Sequence, residues 1–308
     1  MNNQHETSNN KTRNIIMERI EVLKTYKIFI GGQFPRTESG RYYPLKLKNN
    51  MTVNVSLSSR KDFRNAVVAA RGAFSGWSTR AAFNRGQILY RIAEMLEGRK
   101  EQFLEELKQL GYTATAAKKE VEMSIDRLVY YAGWCDKYQQ LFSAVNPVAS
   151  SHFNFSVPEP MGVVAMMADE SSALLGLVSI VAPCIAGGNT CIVLASESKP
   201  TCSITFAEVI ATSDVPAGVV NIVTGNRKEL HAHFSSHMDV NAIVNSNTEK
   251  DFNKTIGENA SLNVKRVFNW TNDWTKESEQ GPYFITDLQE VKTTWHPIEN
   301  IGVSGIKY

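Results

Sequence analysis

The sequence predicts an α/β protein: a doubly wound parallel sheet with flanking helices, joined by a small antiparallel sheet. Two observations lead to this prediction. Short, continuous apolar runs alternate with helical stretches in the second half of the chain, which is typical of buried parallel strands joined by crossover helices. Two other segments alternate between polar and apolar residues, as strands with one buried face do.

The composition is that of a globular chain without an electrostatic preference for a polyanion. Of its 308 residues 43% are hydrophobic, and 33 Lys and Arg against 31 Asp and Glu give a net charge of +2. This balance argues against nucleic acid or an anionic membrane as a partner. The longest apolar stretch, residues 174–186, is interrupted by Ser179 and Pro183. It is also shorter than the roughly 20 residues that cross a bilayer.

The N-terminus and the cysteines favour a cytoplasmic protein. Residues 1–19 are polar and lack the apolar core of a secretion signal, so we expect a flexible tail over residues 1–24. The four cysteines have no C-x-x-C spacing and lie in apolar segments: Cys135, Cys184, Cys191 and Cys202. Such cysteines are typical of reduced core thiols, so we expect neither disulfides nor zinc.

The first half of the chain predicts a turn followed by helices. Gly31-Gly32, within the alternating residues 26–34, have the chemistry of a β-hairpin turn. Ser59 and Asp62 form a capping-box pattern at the start of the first helix. Apolar spacing predicts helices over about 60–76, 88–96, 103–110 and 117–141.

The second half predicts the strands. Four apolar runs predict central parallel strands over residues 163–167, 191–194, 219–223 and 240–244. The two alternating segments, residues 152–157 and 288–295, each predict a strand with one buried and one exposed face, and we expect that they can pair with each other.

Four motifs follow one another along the same half of the chain. They are PEPMGVV at 158–164, APCIAGGN at 182–189, SESKPT at 196–201 and VPAGVVNIVTG at 215–225. In this order they resemble the Rossmann-like coenzyme-binding domain of the aldehyde dehydrogenase superfamily. The resemblance implies that residues 25–143 and 158–270 form that domain and that residues 144–157 and 283–308 supply oligomerisation strands. It also implies that the thiol-bearing catalytic domain is absent between about residues 269 and 283.

The resemblance implies a chemistry that needs a cysteine thiolate, an oxyanion donor and a glutamate base. No cysteine follows Cys202, where the nucleophile is expected. Ser171 stands at the position of the oxyanion-donating Asn, beside the opposing charges of Asp169 and Glu170. Trp270 takes the place of the glutamate, and an indole is not a base. The resemblance therefore predicts no catalytic residue.

The coenzyme positions are altered as well. Leu194 replaces a ribose-binding lysine, whereas its partner Glu197 is retained. The turn at residues 245–248 lacks the family's glycine next to the pyrophosphate, although its Asn247 tolerates φ > 0. Gly225 ends the fourth motif and is the last position that we assign to this cleft. We expect no bound cofactor, with NAD or NADP as the alternative.

Four groups of residues each allow two interpretations. Asp169-Glu170 predict an exposed turn or an acidic metal site, and Glu197 predicts a solvated carboxylate or a ribose contact. The histidines predict a solvated helix face or a metal site: His231, His233 and His237. The aromatic residues predict core packing or a surface that another chain covers: Phe268, Trp270 and Trp274. For Asp169-Glu170 and for the histidines we favour the interpretation without a metal.

Both alternating strands are retained while the catalytic residues are lost, which favours assembly, because unpaired edge strands are otherwise a liability. The alternative is that the strands only pair with each other in a monomer. We therefore hypothesise a non-catalytic aldehyde dehydrogenase homologue that serves as a structural or regulatory subunit. Its partner would be a second copy or a full-length aldehyde dehydrogenase. The alternatives are a residual NAD(P)-dependent oxidoreductase of aldehydes and a sensor of another nucleotide.

Overall fold

The structure is a computed structural model that describes residues 20, 22–48 and 50–298. Most of the predicted tail, residues 1–19 and 21, therefore lies outside the described residues, as do residues 299–308 of the predicted C-terminal strand segment. In the described ranges no helix is long and apolar enough to span a bilayer.

The described strands form three separate sheets. The strands are β1 (Thr25–Tyr26), β2 (Tyr42–Lys46), β3 (Thr52–Ser56), β4 (Ala144–Asn146), β5 (His152–Pro160), β6 (Val163–Met167), β7 (Thr190–Leu194), β8 (Val220–Val223), β9 (Ala242–Asn245), β10 (Arg266–Asn269) and β11 (Gln289–Pro297). A small sheet at the start of the chain has the order β1-β3-β2, the central sheet has the order β10-β9-β6-β7-β8, and the third has the order β11-β5-β4.

Helices cover both faces of the central sheet. They are α1 (Arg60–Ser78), α2 (Ala82–Gly98), α3 (Lys100–Gln109), α4 (Ala114–Trp134), α5 (Tyr138–Phe142), α6 (Leu175–Ala186), α7 (Thr201–Ala211), α8 (Arg227–Ser236), α9 (Lys250–Ser261) and α10 (Tyr283–Thr286). The capping box that the sequence predicts starts α1, where the Ser59 N–H donates to the Asp62 carboxylate at 2.7 Å. The single helix predicted over residues 117–141 is two helices, because the chain leaves the helix after Trp134.

The central sheet confirms the predicted doubly wound fold. Its five strands are parallel. The chain starts at the central β6 and moves outwards through β7 to β8; it then returns to the other side of β6 and moves outwards from β9 to β10. This reversal is the topological switch at which such sheets bind ligands. One apolar cluster lies between the sheet and α1, α8 and α9, where Phe63 stacks on Phe234 with ring centroids 4.0 Å apart. A larger cluster lies on the opposite face, under α2, α4, α6 and α7.

The Gly31-Gly32 turn is present, but the predicted hairpin around it is wrong. Both glycines have positive φ, as the two-residue turn requires, and the turn closes between Ile30 and Gln33. Beyond that closure the chain pairs elsewhere, because Phe29 exchanges two backbone hydrogen bonds of 2.8 Å with Ile222 of β8. The segment before the turn therefore covers one edge of the central sheet.

The two alternating segments pair with each other, as the sequence predicts. β11 lies antiparallel to β5 along its whole length, and β4 lies on the other side of β5. The buried face is the polar one: Asn154 is 2% exposed, whereas Phe153 is 45% exposed. Amide and hydroxyl hydrogen bonds occupy that polar face, including Asn146 Nδ2 to Asn154 Oδ1 at 2.6 Å. The apolar side chains of β5 therefore face outwards.

Candidate functional site

A crevice opens at the carboxyl edge of the central sheet, where the strand order reverses. A cavity of about 500 Å³ lies there, lined by the residues that follow β6, β9 and β10. A second cavity of about 650 Å³ adjoins it on the side of β7 and β8. Two of the residues that the sequence assigns to the catalytic centre, Ser171 and Trp270, line the first cavity, and Asn247 lines both.

Glu170 holds together the loops that enclose this crevice. Its carboxylate accepts hydrogen bonds from the hydroxyls of Ser196 and Ser198, each at 2.6 Å, and lies 2.8 Å from Nε of Arg227. Burial raises the pKa of the Glu170 carboxyl, but the Arg227 charge and the serine hydrogen bonds outweigh burial and hold that pKa below its usual value. Glu170 therefore lies in an exposed turn, as the sequence predicts, and its ionised carboxylate links the loops around the crevice.

Glu197 is partly exposed at the wall of the second cavity, and its carboxylate is bonded to the start of a helix. One carboxylate oxygen accepts from Asn226 Nδ2 at 2.9 Å and the other from the Arg227 backbone N–H at 3.2 Å. Asn226 is the N-cap of α8, so Glu197 places a negative charge at the positive end of that helix. Leu194, at the position of the family's lysine, is fully buried at the end of β7.

Gly225 and Asn247 are explained by local packing and turn geometry. A Cβ at Gly225 would lie 3.2 Å from the Ser58 backbone nitrogen, and its φ of 158° lies at the border of the glycine-favoured region. The Asn247 side chain accepts from the Glu249 N–H at 2.9 Å, just before α9. Asn247 is not among the residues with positive φ, so the turn does not use the ability of asparagine to adopt that conformation.

Ser171 is not available as an oxyanion donor. Its hydroxyl donates to Asp169 Oδ1 at 2.7 Å, and its backbone N–H donates to the same oxygen, also at 2.7 Å. A hydroxyl carries a single proton, so this contact uses its donor. The carboxylate beside it disfavours a second negative charge in the same place.

Trp270 and Trp274 pack into the core, which decides between the two predictions for them. Residues 270–288 connect β10 to β11, and both indoles in this segment are buried. The ring of Phe284 lies against both, with its centroid 4.9 Å from Trp270 and 5.5 Å from Trp274. The connecting segment therefore covers this part of the sheet with its own aromatic side chains.

A buried arginine that sequence reasoning missed anchors this segment. Arg127 of α4 is buried and donates to the carbonyl oxygens of Trp274 at 3.1 Å and Glu279 at 3.4 Å. One turn further along α4, the Tyr131 hydroxyl donates to the Gly281 carbonyl at 3.3 Å. The signal in the sequence is a charge on the apolar stripe of a helix, where it needs buried acceptors.

The thiols and histidines supply no reactive centre. The four cysteines are free and buried, as predicted, and burial raises the pKa of the Cys135 thiol to about 12, so it stays protonated. His237 lies beyond the end of α8 and packs edge-on against Phe63, whereas His231 lies against Phe252. Within the described part of the chain no group of three metal-ligating side chains occurs.

Sequence comparisons relate the chain to known proteins. Residues 38–269 match the model of the aldehyde dehydrogenase family. Mouse cytosolic 10-formyltetrahydrofolate dehydrogenase is 30% identical over 258 residues, which are 82% of this chain and 29% of that protein. Cytosolic aldehyde dehydrogenase 1 of Elephantulus edwardii is 32% identical over 250 residues, 78% of this chain and 49% of that protein. The chain thus spans half or less of the length of these relatives.

Solved structures show the same fold. An aldehyde dehydrogenase from Bacillus cereus, in an NAD+ complex, superposes with a TM-score of 0.74 at 23% identity, over 79% of this chain and 50% of that one. A betaine aldehyde dehydrogenase from Staphylococcus aureus, in complex with NAD+, superposes with a TM-score of 0.73 at 23% identity and the same coverage.

Proposed function

We propose a non-catalytic assembly function for this chain, which belongs to the aldehyde dehydrogenase family. In this proposal it is a structural or regulatory subunit of an oligomer, formed with a second copy or with a full-length aldehyde dehydrogenase. The location that we propose is the cytoplasm, in keeping with the cytosolic relatives named above.

The residues at the crevice support the non-catalytic part of the proposal. The position of the base holds a buried indole, and the hydroxyl of Ser171 is bonded to Asp169. No cysteine follows Cys202 in the sequence. Since acyl transfer through a thiolate needs a nucleophile and a base together, neither half of that chemistry is supplied by these residues.

The exposed sheet β11-β5-β4 carries the assembly part of the proposal. The outward face of β4 and β5 presents Val145 and Phe153, beside an apolar hollow of about 330 Å³ that is lined by residues 143–145, 153 and 155–157. The opposite face of β11 presents Val291 and Trp295. The apolar surface around Val145 and Phe153 is of the kind that marks an interaction site.

The backbone of β11 adds a second reason. Among the described residues β11 pairs only with β5, so its outer edge carries unpaired N–H and C=O groups along a long strand. Proteins cover such edges or use them to bind another strand. A partner chain that adds a strand to this edge would form hydrogen bonds with the backbone groups of β11, and it would bury the exposed apolar surface if it also covered Phe153.

The test compares the mass of the purified chain with that of a double variant, Val145→Ser and Phe153→Ser. We expect light scattering after size exclusion to show an oligomer, alone or with a co-expressed full-length aldehyde dehydrogenase, and a shift of the variant to the monomer. Val68→Ser, an equally exposed valine on α1, is the control and should leave the mass unchanged. A monomer that forms no complex with the full-length enzyme would refute the proposal.

A further inference from the structure

An ion pair crosses the middle of the crevice. Glu170 follows β6, and Arg227 is the first residue of α8, yet their charged groups are 2.8 Å apart. Both residues line the cavity of about 500 Å³ and also the cavity of about 650 Å³ beside it. The pair therefore belongs to the wall that divides the crevice into two compartments.

Hydrogen bonds fix the Glu170 carboxylate, whereas the Arg227 side chain, whose Nε and Nη2 make no hydrogen bond within the described residues, is held by burial and by this ion pair. The Glu170 carboxylate accepts from the Glu197 N–H at 2.9 Å as well as from two serine hydroxyls. The Arg227 residue is 8% exposed, and its backbone N–H is bonded to the Glu197 carboxylate. Separating the pair would leave a buried guanidinium without its counter-charge, which is costly. The division of the crevice is thus a stable feature.

A dinucleotide needs the crevice to be continuous. In doubly wound sheets it lies across the point where the strand order reverses, with its pyrophosphate at a helix N-terminus. Here the Glu170–Arg227 pair stands across that path, and the carboxylates of Asp169 and Glu249 line it and repel a pyrophosphate. The residues present do not fit NAD or NADP.

We propose that Glu170 and Arg227 form a closed gate that excludes dinucleotides from the crevice. Arg227 is the residue that determines this exclusion, because its side chain supplies the part of the wall that extends from α8 to Glu170. The proposal deepens the non-catalytic function and does not depend on assembly, since neither residue lies on the β11-β5-β4 sheet.

The test is calorimetric titration of the whole chain with NAD. Arg227→Gly removes the side chain from the wall, whereas Lys228→Gly makes the same backbone change, and removes the same charge, at an exposed neighbour. We expect no measurable binding by the unaltered chain or by Lys228→Gly, and binding by Arg227→Gly that is at least tenfold tighter, or about 1.4 kcal/mol. Circular dichroism verifies that each variant is folded.

Glu170→Ala is the second variant, which opens the wall from the other side and serves if Arg227→Gly does not fold. NAD binding by either folded variant, with none by the unaltered chain, supports the gate. Tight NAD binding by the unaltered chain, or none by the folded variants, overturns it. The mass of both variants is measured as well; an unchanged oligomer with a failed titration would reject the gate and leave the assembly function standing.

Discussion

Trp274→Ala measures how much the segment over residues 270–288 stabilises the fold. The indole is 2% exposed, and its N–H is buried without a hydrogen-bond partner in the described chain. Truncation removes roughly 160 Å² of buried apolar surface, worth about 4 kcal/mol. The truncation also removes a buried N–H that has no partner, which reduces the loss of stability by about 1 kcal/mol. We therefore expect the free energy of unfolding to fall by about 3 kcal/mol, within the usual range for such truncations.

Urea unfolding followed by circular dichroism is the assay. Tyr283→Ala is the matched control, because Tyr283 is an exposed aromatic residue of the same segment. The control should change the free energy of unfolding by less than about 1 kcal/mol. Equal effects of the two variants, or a loss below about 1 kcal/mol for Trp274→Ala, would show that the segment does not pack into the core beside α4 as described.

Two further variants test buried charge and backbone strain. Burial raises the pKa of the Glu106 carboxyl and outweighs the effect of the hydrogen bond from Thr205. The stability that the protonated carboxyl contributes is therefore lost as the pH rises above its unfolded-state pKa of about 4.3. As the pH rises from about 4 to about 7, the urea midpoint of Glu106→Gln should therefore rise relative to that of the unaltered chain. A difference between the two midpoints that does not change with pH would contradict this. Val264 is 90% exposed with a φ of 57°, a strained conformation for a β-branched residue. Val264→Gly should raise the free energy of unfolding by about 1 kcal/mol, whereas Val68→Gly within α1 should lower it by a similar amount; a lower melting temperature for Val264→Gly would refute the strain.

The strands of the central sheet were predictable because their signal is local. An apolar run such as residues 163–167 has to be buried on both faces, and only the middle of a covered sheet provides this. The pairing of β5 with β11 also followed from their shared alternation. The face that β5 buries, which carries Asn154, did not follow, because alternation does not tell which of the two faces becomes buried on folding.

The site was predictable in position but not in contacts. The resemblance places Ser171 and Trp270 at the crevice, and the structure has both there. The bond from Ser171 to Asp169 is a local one, two residues apart, of the kind that Asp and Ser form in turns. The roles of Glu197 and Arg227 depend on a loop and a helix that the chain brings together only on folding, so neither could be deduced from spacing.

The two edges of the central sheet differ in what they can accept. The hydrogen bonds of Phe29 occupy the edge at β8, whereas β10 at the opposite edge has no outer strand neighbour among the described residues. There Arg266 is ion-paired at 2.6 Å with Glu290 of β11, which puts paired charges where an incoming strand would lie. A strand of another molecule could therefore add to this sheet only at β10, where the paired charges oppose it. In this way the molecule limits open-ended aggregation although its sheet is not closed into a barrel.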